Sequence, residues 1–499
     1  MTARRDTGAP IYTCAGIRAL ETKALGGPTR PLMQAAGAAA AEFIRRHLPD
    51  TAKRILMVAG PGNNGGDAFE AAVHLRRAFL QVDMVFAGSP DALSPDARAA
   101  LALWTDAGGG LLADIPSQGR WDVAVDGLFG IGLSRPLEGR FASLVDRINS
   151  LGVPVIALDI PSGLNADTGA VMGVAVCATH TLTFIALKPG LLTLDGPDHC
   201  GNLELADLGL DAESIAPAPG RLLDERCVRA ALAPRRLNFH KGLAGSVAVI
   251  GGARGMTGAA LIAGRAALRL GAGRVYVGLL DADALSVDVD APELMFRSAS
   301  DAIEPATAIA IGPGLGTDAT ALALLGKAIA ADLPLVLDAD ALNLIAKDDS
   351  LAQRVARRAA PTLATPHPAE AARLLGSSTG EVQSDRLAAA GRIARSLNAH
   401  VVLKGNGSVI APPDGMFRIN PTGHPGMASA GMGDALTGFA ASLLAQGAAP
   451  GQALAAAVWL HGAAGDALTR AGDGPLGITA SDVIDAARRI LNECVAPAT

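Results

Sequence analysis

The chain has 499 residues, more than one hydrophobic core normally supports, so two or three domains are expected. Half of it is hydrophobic and only 3% aromatic, a balance that suits α/β layers in which small residues let helices sit close to a parallel sheet. The mild net charge of −6, with no Lys/Arg run longer than a pair, excludes a nucleic-acid footprint.

The opening MTARRDTGAPIYTCAG has two arginines but no apolar run and is not read as a signal peptide. Five scattered cysteines (Cys14, Cys177, Cys200, Cys227, Cys494) include no CxxC pair, so reduced thiols in a cytoplasmic protein are expected. An Ala-rich helix is predicted over Pro31–His47. Short apolar runs predict strands at Arg54–Ala59, Val82–Ala87, Asp122–Asp126, Val153–Asp159 and Thr181–Ala186, with helices over Asp67–Phe79, Asp96–Asp106 and Gly139–Ser150 between them. This alternation predicts a Rossmann-like three-layer sandwich with its ligand at the carboxyl ends of the strands.

The Pro- and Ala-rich stretch from Asp211 to about Gly220 reads as a boundary, giving domains over 1–215 and 223–499. The pattern then restarts with the strand GSVAVIGG and a helix over Thr257–Leu270. Further strands are predicted at Arg274–Gly278, Ala308–Ile311, Pro334–Leu337, Thr362–Thr365 and Val401–Lys404, and SVIAPPDGMFRIN reads as a hairpin around Pro413-Asp414-Gly415. The uncharged stretch between Asp434 and Asp466, broken by QGAAPGQ, is expected to form two buried helices rather than a membrane span.

Four loops carry the first chemical constellation: GPGNNGGD (Gly60–Asp67), DGLFGIGLSRPLEG from Asp126, ALDIPSGLNADTG with Asp159 and Ser162, and TLTFIALKPGLL with Lys188. Parallel topology brings them to one sheet edge. Asn64, Asp126 and Ser162 supply hard oxygen ligands suited to a monovalent cation. The strings differ from GxGxxG and lack a ribose-binding acid at the expected spacing, which disfavours an ordinary dehydrogenase. Far downstream, GMASAGMGD (Gly426–Asp434) opens a helix, where glycines and free N–H groups suit an anion and a carboxylate ends the run.

On these strings the first half, from about Arg18 to Leu205, resembles the YjeF amino-terminal domain, an NAD(P)H-hydrate epimerase. The second, from about Arg235 to Asp485, resembles the ADP-dependent NAD(P)H-hydrate dehydratases, which have a ribokinase-like α/β fold. The latter resemblance rests on NFHKGLAGSVAVIGG, GPGLG, LDADALN, TPHPAEAARLL, LKGNGS and GMGD. Together they resemble the bifunctional NAD(P)H-hydrate repair enzymes. The resemblance implies that Asn63, Asn64, Gly65, Gly66 and Asp67, with Gly130, Ile131, Gly132, Leu133, Ser134, Arg135, Pro136 and Asp159, hold NADHX or NADPHX. It also implies that Asn64, Asp126 and Ser162 bind K⁺. Asp159 is the expected epimerase proton shuttle, with Lys188 second.

In the second half the resemblance implies that Ala259, Gly316, His367 and Asp434 contact the hydrate, with Asp434 as catalytic base. Lys404, Gly405, Asn406, Gly407, Ser408 and Gly433 would contact ADP or ATP, used with Mg²⁺. Asp338 and Asp340 are open between orienting Mg²⁺ or water and capping the helix of Asn343, and His367 taken alone, between two prolines, reads as a structural loop residue, its site reading coming from the whole TPHPAEAARLL string. Departures from the family pattern are Ala68, His424 and Ala430. The family also implies a homo-oligomer, with no membrane and no nucleic-acid partner. The alternative is a vitamin-type small-molecule kinase fused to a non-catalytic dinucleotide-binding module.

Overall fold

The computed structural model describes residues 8–24, 32–49, 51–284 and 286–495. The described residues divide into two units, Pro10–Gly220 and 221–495, the second joined by Gly8 and Ala9.

In the first unit, β1 (Arg54–Ala59), β2 (Gln81–Phe86), β3 (Leu111–Leu112), β4 (Val123–Gly127), β5 (Val155–Leu158), β6 (His180–Phe184) and β7 (Asn202–Ala206) form a seven-stranded sheet in the order β3-β2-β1-β4-β5-β6-β7. Every pair is parallel. Alternation along β1 sends Ile55, Met57 and Ala59 into one apolar layer and Leu56 and Val58 into the other, which is why the strand reads as unbroken hydrophobic. The strand order reverses between β1 and β4, and a crevice at the carboxyl ends of two such strands is where doubly wound sheets take ligands.

Helices α1 (Cys14–Ala24), α2 (Leu32–His47), α3 (Asn63–Arg77), α4 (Pro95–Asp106) and α5 (Gly139–Asn149) surround this sheet. The predicted start of α2 at Pro31 lies outside the described residues. Helix α3 begins at Asn63 rather than Asp67, so the NNGGD string is a helix start and not a loop. Gly62 serves as its N-cap, and a side chain at Gly65 would run into the Gly60 carbonyl, so the glycines buy close packing of this first turn against β1.

In the second unit, β8 (Ser246–Gly251), β9 (Arg274–Leu279), β10 (Met295–Ser298), β11 (Ala308–Ile311), β12 (Leu335–Leu337), β13 (Thr362–Ala364) and β14 (His400–Leu403) run parallel in the order β10-β9-β8-β11-β12-β13-β14. The hairpin β15 (Val409–Ala411) and β16 (Phe417–Ile419) then adds antiparallel to β14. Helices α6 (Thr257–Arg269), α7 (Ala319–Ala330), α8 (Ala339–Ile345), α9 (Pro368–Leu375), α10 (Arg386–Leu397), α11 (Met432–Ala445), α12 (Pro450–Ala471) and α13 (Ala480–Val495) pack on its faces. The uncharged stretch is the buried pair α11 and α12, turning at Gly447 with φ +89°. Among the described residues no helix is long and apolar enough to cross a membrane, and the five cysteines are free thiols.

Candidate active sites

In the first unit two neighbouring strands end in the same strained turn. After β5, Asp159 takes φ +66° while Ile160 N closes back onto Leu158 O at 2.8 Å. After β6, Ile185 takes φ +69° while Ala186 N closes onto Phe184 O at 2.8 Å. A non-glycine held at positive φ costs on the order of 1–3 kcal/mol, and such turns persist where surrounding structure over-determines them. Here they bring Asp159 and Lys188 together: Lys188 Nζ donates to Asp159 Oδ1 at 2.6 Å, to Thr183 Oγ1 at 2.7 Å and to Phe184 O at 2.8 Å. Lys188 is 1% exposed, and all three donors of its ammonium are used.

The other Asp159 oxygen accepts from Ile131 N at 3.2 Å, and a Cβ at Gly130 would lie 2.6 Å from it, so only glycine fits at 130. Asp67 lies in the same electrostatic neighbourhood: burial, reinforced by Asp159, Glu21 and Glu70, pushes its carboxyl well above the usual range. Glu21 on α1 is raised by burial and by Asp159. Sequence reading missed Glu21, because a lone Glu on an amphipathic helix carries no motif. Asn63 accepts from Ser94 Oγ at 2.8 Å, while Gly132, Ser134, Arg135 and Pro136 are exposed and Gly130, Ile131 and Leu133 half-buried.

The three oxygen donors converge beside the strand-order reversal. Asp126, fully buried at the end of β4, accepts from Ser162 Oγ at 2.7 Å, Ser162 N at 2.7 Å and Leu128 N at 3.1 Å. Burial nonetheless pushes its pKa up to about 6. Asn64 is buried with neither Oδ1 nor Nδ2 hydrogen-bonded, an expensive arrangement without a ligand, and its backbone carbonyl oxygen lies 3.3 Å from where a Cβ on Gly127, the neighbour of Asp126, would stand. An unpartnered amide oxygen, a buried carboxylate and a hydroxyl on neighbouring strand ends are donors of the type that fits a monovalent cation.

In the second unit Asp338, at the end of β12 and 2% exposed, is the hub. Its Oδ1 accepts from Thr365 Oγ1 at 2.7 Å and Lys404 Nζ at 3.0 Å, and its Oδ2 from Thr437 Oγ1 at 2.8 Å. It thereby ties the ends of β12, β13 and β14 to the first turns of α11. It does not cap α8 with its side chain, and Asp340 instead accepts from Gly316 N at 2.9 Å. Burial pulls the Lys404 ammonium down, but Asp338 and Glu370 outweigh it and hold its pKa above the usual value. A Cβ at Gly433 would lie 3.3 Å from Lys404 Nζ and 3.7 Å from Asp338 Oδ2. Asp434 follows in the first turn of α11, where burial, aided by the Asp338 charge, pushes its carboxyl to about 7.

Ala259, in the first turn of α6, abuts the Gly314 backbone, where a Cβ would lie 3.3 Å from its own. Gly405 N donates to Ser408 Oγ at 3.2 Å, closing the Lys404–Ser408 loop, in which Gly405 and Gly407 have positive φ. His367 is the N-cap of α9: its Nδ1 accepts from Ala369 N at 3.1 Å and Glu370 N at 3.4 Å, while Glu370 Oε2 accepts from His367 N at 2.8 Å. This is a capping box with His in the place of Ser or Thr, so Nδ1 is committed to the backbone and only Nε2, 3.3 Å from Glu370 Oε1, is left for other contacts. Burial and Lys404 lower the His367 pKa, which keeps the ring neutral. A cavity of about 770 Å³ lined by Arg235, Leu270, Gly271, Gln446 and Arg488 lies where α6 and α11 end, and none of these site residues lines it.

The family model of the YjeF-related protein N-terminus matches residues 29–190, and that of NAD(P)H-hydrate dehydratase matches residues 247–489. The bifunctional NAD(P)H-hydrate repair enzyme of Coxiella burnetii is 39% identical, with 97% of this chain and 99% of that protein covered. The Escherichia coli enzyme of the same description is 39% identical over 94% and 90%. A solved ADP/ATP-dependent NAD(P)H-hydrate dehydratase from Bacillus subtilis is 33% identical, covering 55% of this chain and 98% of its own, with a TM-score of 0.48. With both halves matched in order over nearly its whole length, the chain belongs to the family of bifunctional NAD(P)H-hydrate repair enzymes.

Proposed function

We propose that this chain returns hydrated nicotinamide nucleotides to use, epimerising the R and S forms of NADHX and NADPHX in its first unit and dehydrating the S form in its second. The hydrate carries a hydroxyl at C6 of the reduced ring. Epimerisation requires that hydroxyl to leave as the ring nitrogen forms a double bond to C6, and water to return on the other face. Asp159, ion-paired to Lys188 at 2.6 Å, is the carboxylate that would accept a proton and face the cationic ring. Asp67, whose surroundings favour its protonated form, is placed to supply one to the departing hydroxyl. A proton acceptor near a carboxyl that favours its protonated form is the arrangement such a step needs. Asn63–Asp67 and Gly130–Pro136 would hold the nucleotide. Asn64, Asp126 and Ser162 would hold K⁺, which supplies a fixed positive charge beside the bound nucleotide.

In the second unit Asp434 takes the proton of the C6 hydroxyl as its oxygen attacks the terminal phosphoryl group of ADP or ATP. The glycine-lined start of α11 stabilises charge on the transferred group, and Lys404, steadied by Asp338, faces the same space. Phosphate then departs with the C6–O bond, the ring nitrogen lends its electrons, and loss of the C5 proton restores the dihydronicotinamide. Lys404–Ser408 and Gly433 would contact the nucleotide, and Ala259, Gly316 and His367 Nε2 the hydrate. Among the described residues no group of three or more His, Cys, Asp or Glu side chains could hold a metal ion. Mg²⁺ is therefore expected to arrive on the nucleotide's phosphates rather than in a protein cage.

The observation that carries this reading is the pair of independent carboxylate sites, Asp159–Lys188 and Asp434 beside Lys404–Asp338, in a chain matched to both families. The test is to give the purified protein both NADHX epimers with Mg²⁺ and ADP or ATP. Complete regeneration of NADH supports the reading. A stable phosphorylated product without NADH would support the vitamin-kinase alternative, and recovery of one epimer alone would remove the epimerase half.

A further inference from the structure

We propose that Arg386 is a positioning residue that sets the nucleotide affinity of the second unit by holding the Lys404–Ser408 loop from beneath; this rests on the reading of that loop as the nucleotide contact. Arg386 is the first residue of α10 and is only 1% exposed, one of the largest fully buried side chains among the described residues. Its position is anchored locally by Asp385, which caps the helix by accepting from Ala388 N at 2.9 Å. From there the guanidinium reaches across to the end of β14. It donates to Leu403 O at 3.2 Å and Lys404 O at 3.3 Å, and to Gln383 Oε1 at 2.7 Å. All three of these acceptors are neutral.

Two features show that loop and guanidinium were shaped to each other. Gly405 has φ +140°, open only to glycine, and a Cβ there would lie 2.9 Å from both terminal guanidinium nitrogens. The backbone of residue 405 therefore rests directly on the arginine. One terminal nitrogen, Nη2, also donates to two successive main-chain carbonyls where strand pairing ends, while Nη1 is spent on Gln383, and this fixes the direction in which the Lys404 side chain and the following turn leave the sheet. A lysine has one nitrogen on a flexible stem and cannot hold both carbonyls and Gln383 Oε1 from the two fixed positions that Nη2 and Nη1 occupy. Burial lowers the Arg386 pKa only to about 10, so the group stays cationic under the loop at neutral pH.

The test uses the full-length protein with Arg386→Met, Arg386→Lys and Gly405→Ala, alongside Lys404→Ala. Four quantities are read: kcat, the KM for ADP or ATP, the KM for the hydrate, and the Kd of ADP alone by calorimetry. Melting curves accompany them. Arg386→Met is expected to raise the nucleotide KM and the ADP Kd about tenfold or more, as loss of charge-assisted bonds implies, with kcat within about twofold and the hydrate KM unchanged. Arg386→Lys is expected to restore part of that loss. Should Arg386→Met not fold, Gly405→Ala, which drives a methyl group onto the guanidinium, must weaken ADP in the same way. A folded Arg386 or Gly405 variant with wild-type ADP affinity overturns the proposal, as does an equal rise in both KM values. If Lys404→Ala also leaves ADP binding unchanged, the fault lies in the reading of the loop; if it weakens ADP while the Arg386 variants do not, only the role of Arg386 falls.

Discussion

Asp338→Asn tests the second site most sharply, because one substitution moves two quantities in directions the structure dictates. Asp338 receives Lys404, Thr365 and Thr437 in a setting that is 2% exposed. Removing its charge leaves the Lys404 ammonium with Glu370 and, more weakly, Asp434 as its remaining counter-charges. Breaking a buried pair costs about 3–5 kcal/mol, and the 22% exposure of Lys404 puts this case at the lower end. For a unit of this size that corresponds to an apparent Tm roughly 5–10 °C lower. The second effect is on Asp434, held near 7 by burial and by the Asp338 charge. Asp434 must be ionised to accept a proton, so wild-type dehydration should rise with pH through about 7. Without the neighbouring negative charge, the acid limb should move down by roughly one pH unit. The assay follows NADH formation from S-NADHX under saturating ADP across pH 5.5–8.5, with melts at each pH. Activity of the variant relative to wild type should be higher at the acid end than at the alkaline end. A ratio independent of pH, or one rising with pH, would refute the electrostatic link between Asp338 and Asp434.

Asp434→Asn should lower dehydration at least a thousandfold while leaving epimerisation intact, as measured on a single pure epimer. The same variant should melt higher than wild type at pH 8 but not at pH 4. A carboxyl whose folded pKa is raised loses stability as pH climbs from its unfolded value toward about 7, and Asn removes that penalty. Asp159→Asn should abolish interconversion of the epimers and leave S-NADHX dehydration unchanged. Gly130→Ala should mimic it in part, because the new methyl group would press on the Asp159 carboxylate from 2.6 Å. K⁺ should raise the apparent Tm more than Li⁺ at equal ionic strength, and Asn64→Ala should erase the difference; equal shifts in both proteins would remove K⁺ from this site.

Strands were legible wherever burial on both faces leaves a continuous apolar run: Arg54–Ala59 and Ala308–Ile311 match to the residue, and the hairpin at Pro413-Asp414-Gly415 was marked by its turn chemistry. Three of the strands that sequence reading passed over lie at sheet edges. Leu111–Leu112 has two residues, and Asn202–Ala206 and Met295–Ser298 mix polar side chains into short runs, because an edge strand is covered on fewer sides. Helix α3 was placed four residues late because glycines and asparagines read as loop, whereas here they are a first turn pressed against its own strand.

Sequence alone determined the two α/β halves and the strings that carry Asn64, Asp126, Asp159, Ser162, Lys404 and Asp434, since periodicity and glycine-rich turns are local properties. Tertiary structure decided the rest. Lys188 meets Asp159 only because β5 and β6 are neighbours that end in the same strained turn, and Asp338 governs Lys404 and Asp434 only because three strand ends and a helix start converge on it. His367, expected from its motif to contact the hydrate, spends one ring nitrogen on capping its own helix, and Arg386 offered no sequence signal at all. Charges acquire their pKa values from neighbours distant in the chain and from the loss of water around them, and neither is written in the spacing of residues.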